Sequence, residues 1–218
     1  SHDGFTLYDL NSYTKKSPDT QGGSDWEICF DYNNSKEKKE NAIKKQLTLL
    51  MLLKGIPMLQ IGDIIMHTKN GNNNSYNLDN ATNYLDWNKA LEKSSFENKI
   101  MEFTRNLIKF RLDNQIYQRN IVSYHYDNGE IAQEDNLGYW DNPKDDFFGA
   151  IIDGVDRIYI AASKSNEKMN IKLPQNYFNK AWFKCLDTTE KTINLFIKDY
   201  IKDEYILNPN SLCIFMEK

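Results

Sequence analysis

The sequence predicts two dissimilar halves: an α/β segment built around two long helices, then an antiparallel β-sandwich. Three patterns carry that expectation. The stretch "NAIKKQLTLLMLLKG" at 41–55 is apolar around most of a helical circumference, so it reads as a buried helix. Phe96, Ile100, Phe103, Leu107 and Phe110 recur at alternating spacings of four and three, the single face of an amphipathic helix. Beyond residue 120 the periodicity shortens into about seven strand-like runs separated by turn signals.

Taken in order, residues 8–33 are polar and broken by Pro18 and Gly22-Gly23, which reads as a long loop. Asn34 precedes Glu37 at capping-box spacing and starts the first long helix. Gly55 sits where a helix C′ glycine belongs, and Pro57 stops any continuation. The run "PMLQIGD" at 57–63 is short, apolar and bounded by breakers, so it is expected as a buried strand forming an α/β unit with that helix. One parallel strand cannot make a sheet, so this half reads as the end of something larger. A polar loop follows, containing "NGNNNSYNLDN" at 70–80. Ser94 and Glu97 form a second capping box, and the helix they open is expected to reach about Tyr117. Strands are expected at 121–126, 148–153, 156–162, 168–173, 181–186, 203–207 and 211–216. In "MNIKLP", Met169, Ile171 and Leu173 alternate with Asn170 and Lys172, which buries one face and wets the other. The boundary falls near 117–121, giving domains 1–118 and 119–218.

Composition narrows the function. Of 218 residues, 40% are hydrophobic and 27% charged, so disorder does not dominate. Net charge is −4 with both signs interspersed, which argues against nucleic acid or an anionic membrane as partner. No apolar run reaches the length of a membrane span, and no signal peptide is recognisable, so the expected compartment is the cytoplasm. Cys29, Cys185 and Cys213 are far apart and odd in number, the pattern of reduced and mostly buried thiols. His2, His67 and His125 show no metal-ligand spacing, and no metal or cofactor is expected. The 13 tyrosines suit sugar stacking and core packing equally.

The motifs go further. "HDGFTLYDLNSY" at 2–13, "GIPMLQIGD" at 55–63, and "GNNNSYNLDN" at 71–80 followed by "LDW" at 85–87 occur in that order. With "WDNP" at 140–143, "AAS" at 161–163, "IKLP" at 171–174, "CLDTT" at 185–189 and "NPNSLCIF" at 208–215, the whole chain resembles the C-terminal part of isoamylase-type glycogen debranching enzymes of the alpha-amylase superfamily. The resemblance implies the last strands and helices of a (β/α)8 barrel, followed by the family's C-terminal β-domain. Residues 57–63 would be the eighth strand, 41–54 the helix before it and 94–117 the last barrel helix.

It also implies a retaining mechanism on α-1,6 branch links of a glycogen-like α-glucan or maltooligosaccharide. Asp3 matches the carboxylate that supports the transition state, and His2 a histidine that hydrogen-bonds the sugar. The nucleophile and the acid belong to earlier strands, so this chain alone is expected to be inactive. Asn74, Tyr76, Asp79 and Asn80 are expected at the substrate-binding rim, offering amides, a stacking ring and an acceptor. Asp63 reads as structural, and Trp87 and Trp140 as packing residues. Trp26 reads equally as a glucan platform or a loop anchor. Ile64 and His67 stand where the family has Glu and Arg, so a carboxylate and a guanidinium fork are both missing. That departure favours an alternative: a non-catalytic glucan-binding or assembly module. Self-association, or pairing with the missing part of the barrel, is a further expectation.

Overall fold

Each of the two long helices starts one residue later than the capping-box serine or asparagine predicts. In the computed structural model, which describes residues 4–32, 35–126, 130–131, 146–177, 179–190 and 199–218, the caps are Ser35 and Ser95. Ser35 Oγ accepts from Lys38 N at 3.4 Å and Ser95 Oγ from Asn98 N at 2.9 Å. Ser94 turns instead to Glu92, while Asn34 lies outside the described residues. The helices are α1 (Leu7–Leu10), α2 (Lys36–Leu52), α3 (Trp87–Leu91) and α4 (Phe96–Asp113). α4 ends before Tyr117, because Gln115 turns left-handed at φ 50 and a short 3-10 turn, Ile116–Gln118, follows.

The chain divides into two units. The first comprises Ser1–Met51 and Ile56–Lys109, the second Leu52–Gly55 and Phe110–Lys218. In the first, Ala42, Ile43, Leu47 and Met51 of α2 and Phe96, Ile100, Phe103 and Leu107 of α4 are buried. Lys44 Nζ lies 5.8 Å from the Phe103 ring centre and Lys36 Nζ 5.4 Å from that of Phe96, so the two helices pack side by side.

The expected strand at 57–63 is absent. Ile56, Met58 and Ile61 are 93%, 72% and 70% exposed, and Asp63–Ile65 form a 3-10 turn. A strand exists only as a partner in a ladder, and no described residue pairs with this run. Gly55 has φ +121 but stands three residues past the end of α2, so it is not its C′ residue.

A buried carboxylate organises this unit. Asp9 is fully buried. Its Oδ1 accepts from the Thr68 hydroxyl at 2.5 Å, and its Oδ2 accepts from Lys69 N at 2.8 Å and Gly71 N at 3.3 Å. Thr6 Oγ1 caps α1 by accepting from Asp9 N at 3.1 Å. Asp63 fastens the N-terminal end of α1 as well: its Oδ1 accepts from Leu7 N at 2.9 Å and its Oδ2 from Gln60 N at 3.2 Å. Asp63 is thus engaged with backbone, in keeping with a structural role.

The second unit is antiparallel throughout. Its strands are β1 (Ile121–Tyr126), β2 (Glu130–Ile131), β3 (Phe147–Ile152), β4 (Ile158–Ser163), β5 (Met169–Lys172), β6 (Trp182–Asp187), β7 (Asp199–Ile201), β8 (Glu204–Leu207) and β9 (Leu212–Glu217). All seven expected strands are present, their ends shifted by no more than two residues; β2 and β7 are additional and short. Seven strands form one sheet in the order β2-β1-β3-β4-β9-β6-β7, and β5 pairs with β8 as a two-stranded layer. Phe147, Ile151, Tyr159, Trp182, Cys213 and Phe215 of the large sheet meet Ile171 and Leu207 of the small one. That is the sandwich core, with very unequal layers. "WDNP" at 140–143 lies outside the described residues. Cys185 and Cys213 are buried and Cys29 half-buried, all three free.

One ion pair closes this unit. Arg157 Nε and a terminal guanidinium nitrogen donate to the two oxygens of Glu217, both at 2.7 Å, and Glu217 is fully buried. Tyr177 N donates to the same carboxylate at 2.6 Å, while the Tyr177 ring lies 3.7 Å from the guanidinium carbon. Burial alone would raise the Glu217 pKa, but the hydrogen bonds from Arg157 and Tyr177 outweigh it and hold the value below 4.5.

Two outcomes follow from these carboxylates. In Asp9→Asn, an amide NH2 faces groups that are themselves donors. The variant is expected to lose about 2–3 kcal/mol of stability in the first unit, read from denaturant-dependent amide exchange at Lys69 and Gly71. Glu217 has a folded pKa below its unfolded one. The stability it adds is therefore present above about pH 4.5 and disappears as pH falls through the folded value. Glu217→Gln should flatten the acid limb of the second unit's stability profile and cost about 3 kcal/mol at neutral pH, because Arg157 is left buried without its counter-charge. An unchanged acid limb would show that the pair does not set it.

Candidate functional site

The residues just after the His2-Asp3 pair are held by one main-chain carbonyl and one side chain from distant loops. Gly4 N donates to the Asn73 carbonyl at 3.0 Å. Phe5 N donates to Glu27 Oε1 at 2.8 Å. Asn73 Nδ2 donates to Glu27 Oε2 and to the Ser24 carbonyl, both at 2.9 Å. Gly4 has φ +111, and a Cβ there would lie 2.5 Å from Glu27 Oε1, so only glycine fits this close approach. His2 and Asp3 themselves lie outside the described residues.

The Asn-rich loop is closed by its own polar groups. Asn83 Nδ2 donates to the Ser75 and Leu78 carbonyls at 2.7 Å each, and Ser75 Oγ donates to Asn83 Oδ1 at 2.8 Å. Asn74 is half-buried, and its Nδ2 donates to the Gln21 carbonyl at 2.8 Å, so that amide serves the loop. Tyr76 is 78% exposed. Asp79 and Asn80 are exposed as well. Asp79 Oδ1 accepts from the Tyr84 hydroxyl at 3.0 Å and Asn80 Oδ1 from Thr82 N at 2.9 Å. Three of the four expected rim residues are therefore accessible, and Asn74 works inside the loop.

His67 is half-buried, and its Nε2 is enclosed with no hydrogen-bond partner. Burial pushes its pKa down, against a backbone hydrogen bond with Thr82 that raises it, so the ring is neutral at pH 7. Ile64 is half-buried. Trp87, expected to pack, is 50% exposed at the first turn of α3. Trp140 lies outside the described residues. Among the described residues, no group of His, Cys, Asp or Glu is arranged to hold a metal ion, and no helix is long and apolar enough to cross a membrane.

Sequence reasoning missed Glu27, Asn73 and Tyr84. Asn73 and Tyr84 lay beside residues already singled out. Glu27 carried no signal, because a carboxylate accepting from distant backbone leaves no periodicity behind.

No family model matches the chain. It is 30% identical over 213 residues to the isoamylase of a Flavobacterium species, covering 86% of this chain and 27% of that enzyme. It is 32% identical over 133 residues to the glycogen debranching enzyme of Escherichia fergusonii, covering 55% of this chain and 19% of that protein. Among solved structures, it matches the type I pullulanase of Bacillus subtilis complexed with maltose. That match has a TM-score of 0.61 and 16% identity, and covers 99% of this chain and 26% of the pullulanase. The chain therefore spans about a quarter of the length of these relatives. Sequence and fold together place it with the isoamylase-type debranching enzymes of the alpha-amylase family, to which it corresponds over a C-terminal segment.

Proposed function

We propose that this chain supplies the C-terminal share of a retaining glycoside hydrolase that cleaves α-1,6 branch links in a glycogen-like glucan of the cytoplasm. Residues 1–118 would belong to the catalytic barrel and 119–218 to the sandwich that follows it. One observation carries the reading. The stretch that begins with His2-Asp3 and the loop that bears Tyr76, Asp79 and Asn80 are bonded to each other through Gly4 and Asn73. Two stretches expected to contact one sugar chain are thus neighbours in the fold.

The roles follow from the chemistry of glycosyl transfer. An oxocarbenium-like transition state needs a nucleophilic carboxylate and a carboxylic acid on opposite sides of the bond. Asp3 serves neither role in this proposal. It binds sugar hydroxyls and favours the distorted ring, and His2 hydrogen-bonds the same sugar. Nucleophile and acid come from polypeptide outside this chain.

The surface of the first unit supports such an assembly. Trp26, Ile28 and Phe30 are 91%, 87% and 59% exposed, at alternate positions of an extended run. Glu27, between them, turns inward to Phe5. A row containing Ile28, which has no face for a pyranose, suits protein contact better than a glucan platform. Met58 and Ile61 add exposed apolar area in the run expected as a strand. Ile64 and the neutral His67 support a second reading, a glucan-binding module without chemistry.

The test is reconstitution. The chain is co-expressed with the portion of the Flavobacterium isoamylase that it does not match, and reducing ends released from a branched α-glucan are measured. Neither part alone should hydrolyse the substrate, and the pair should. Asp3→Asn in the pair is expected to lower turnover at least about a hundredfold. Glucan binding by a soluble pair that never hydrolyses would move the reading to the non-catalytic module. Full turnover by Asp3→Asn would remove Asp3 from the mechanism.

A further inference from the structure

The first unit contains a cleft of about 830 Å³, bordered by the start of α2, the 65–70 turn and the α3–α4 corner. That volume lies within the range of small-molecule sites. Its charges cancel: Lys36, Lys39 and Lys89 face Asp86, Glu92 and Glu97, and His67 is neutral. An ion gains no net attraction from such a wall. A neutral ligand whose groups both donate and accept gains from both kinds of partner, because each hydroxyl can give a proton to a carboxylate and take one from an ammonium.

The donors are already placed. Lys39 is buried, yet its ammonium forms no ion pair with any described residue; it lies 4.6 Å from the Tyr8 ring centre. The Lys36 ammonium sits over Phe96 in the same way. These two rings hold lysines. Tyr84 is different: its ring is 59% exposed and its hydroxyl is fixed on Asp79. It is a pre-oriented flat apolar face in the same cleft as the two ammonium groups. His67 Nε2, buried in the same wall, has no hydrogen-bond partner among the described residues.

We propose that this cleft binds a neutral hexopyranose oligosaccharide, with Tyr84 stacking on a sugar face and Lys36 and Lys39 donating to ring hydroxyls. That the sugar is an α-1,4-glucan rests on the debranching reading above. In that setting the cleft would hold one chain of a branched polymer beside the Asp79–Asn80 rim.

The experiment uses the full chain, labelled with 15N and titrated with maltohexaose or inorganic phosphate. Maltohexaose should give saturable amide shifts at His67–Asn70 and Ser94–Glu97 in the millimolar range, and phosphate should not. Tyr84→Ala should weaken binding roughly fivefold, while Tyr84→Phe, which keeps the ring, should stay within about twofold. Lys39→Met should also weaken it. Shifts confined to 72–80, an unchanged affinity in Tyr84→Ala, no saturable shift, or phosphate binding at the two lysines would each overturn the proposal. Failure here alongside successful reconstituted hydrolysis would leave the debranching reading standing. Binding without any reconstituted hydrolysis would remove that reading and keep the cleft.

Discussion

A carboxylate shut away from water must receive hydrogen bonds from the protein around it, and Asp9 receives three from one short turn at 68–71. This constraint ties the first dozen residues to a loop far along the chain. α1, lying between Thr6 and Asn11, cannot shift without stripping that carboxylate. Asp63 repeats the device at the first residue of the helix by accepting from Leu7 N. The entry to α1 is thereby carried to the Asn73 main chain, and the clamp at Gly4 and Phe5 follows from it. The geometry at Gly4 and Phe5 is therefore set by acceptors that have no part in sugar chemistry.

The second unit solves the same problem with a different partner. Glu217 is as buried as Asp9, but it meets a guanidinium as well as a backbone N–H. Burying an ion pair brings little net stability, whereas removing one member is expensive. The pair thus acts mainly to fix register. It pins the end of β9 to the start of β4, and Arg157 reaches the Gln175 carbonyl as well. Asp187 makes a third such knot, accepting from Thr189, Tyr205 and Asn208 at the corner beside β9. Short strands joined by irregular turns need these fixed points, since a slip of one residue would exchange the buried and wet faces.

The legible parts of the sequence were those governed by local repetition. β5 was readable because Met169, Ile171 and Leu173 alternate with polar neighbours, and α4 because its apolar face recurs at helical spacing. The helix starts were misplaced by one residue, because neighbouring Ser and Asn residues offer rival caps of similar strength. The run at 57–63 was misread for a deeper reason. An apolar run reports a tendency to be buried, but a strand also needs a neighbour, and hydrophobicity cannot supply it. Tyr76, Asp79 and Asn80 stand out through a motif, and the structure leaves all three exposed. Glu27 was invisible, since its partners Phe5 and Asn73 are distant in sequence and nothing in "SDWEIC" marks that carboxylate as inward.

The change at positions 64 and 67 now has a physical sense. The family resemblance leads one to expect a carboxylate and a guanidinium there, and this chain has Ile64 and His67. Losing one member of a charged pair would strand the other in a half-buried wall; losing both leaves no orphan charge. The imidazole that remains is neutral because burial lowers its pKa. The fold therefore tolerates the double replacement. What alters is the character of the wall: a position that would carry a permanent cation now carries a neutral ring, and the charges left around the cleft balance. His67 Nε2 is itself enclosed, so the replacement changes the charge of the wall without adding a donor or acceptor that a ligand could reach from solvent.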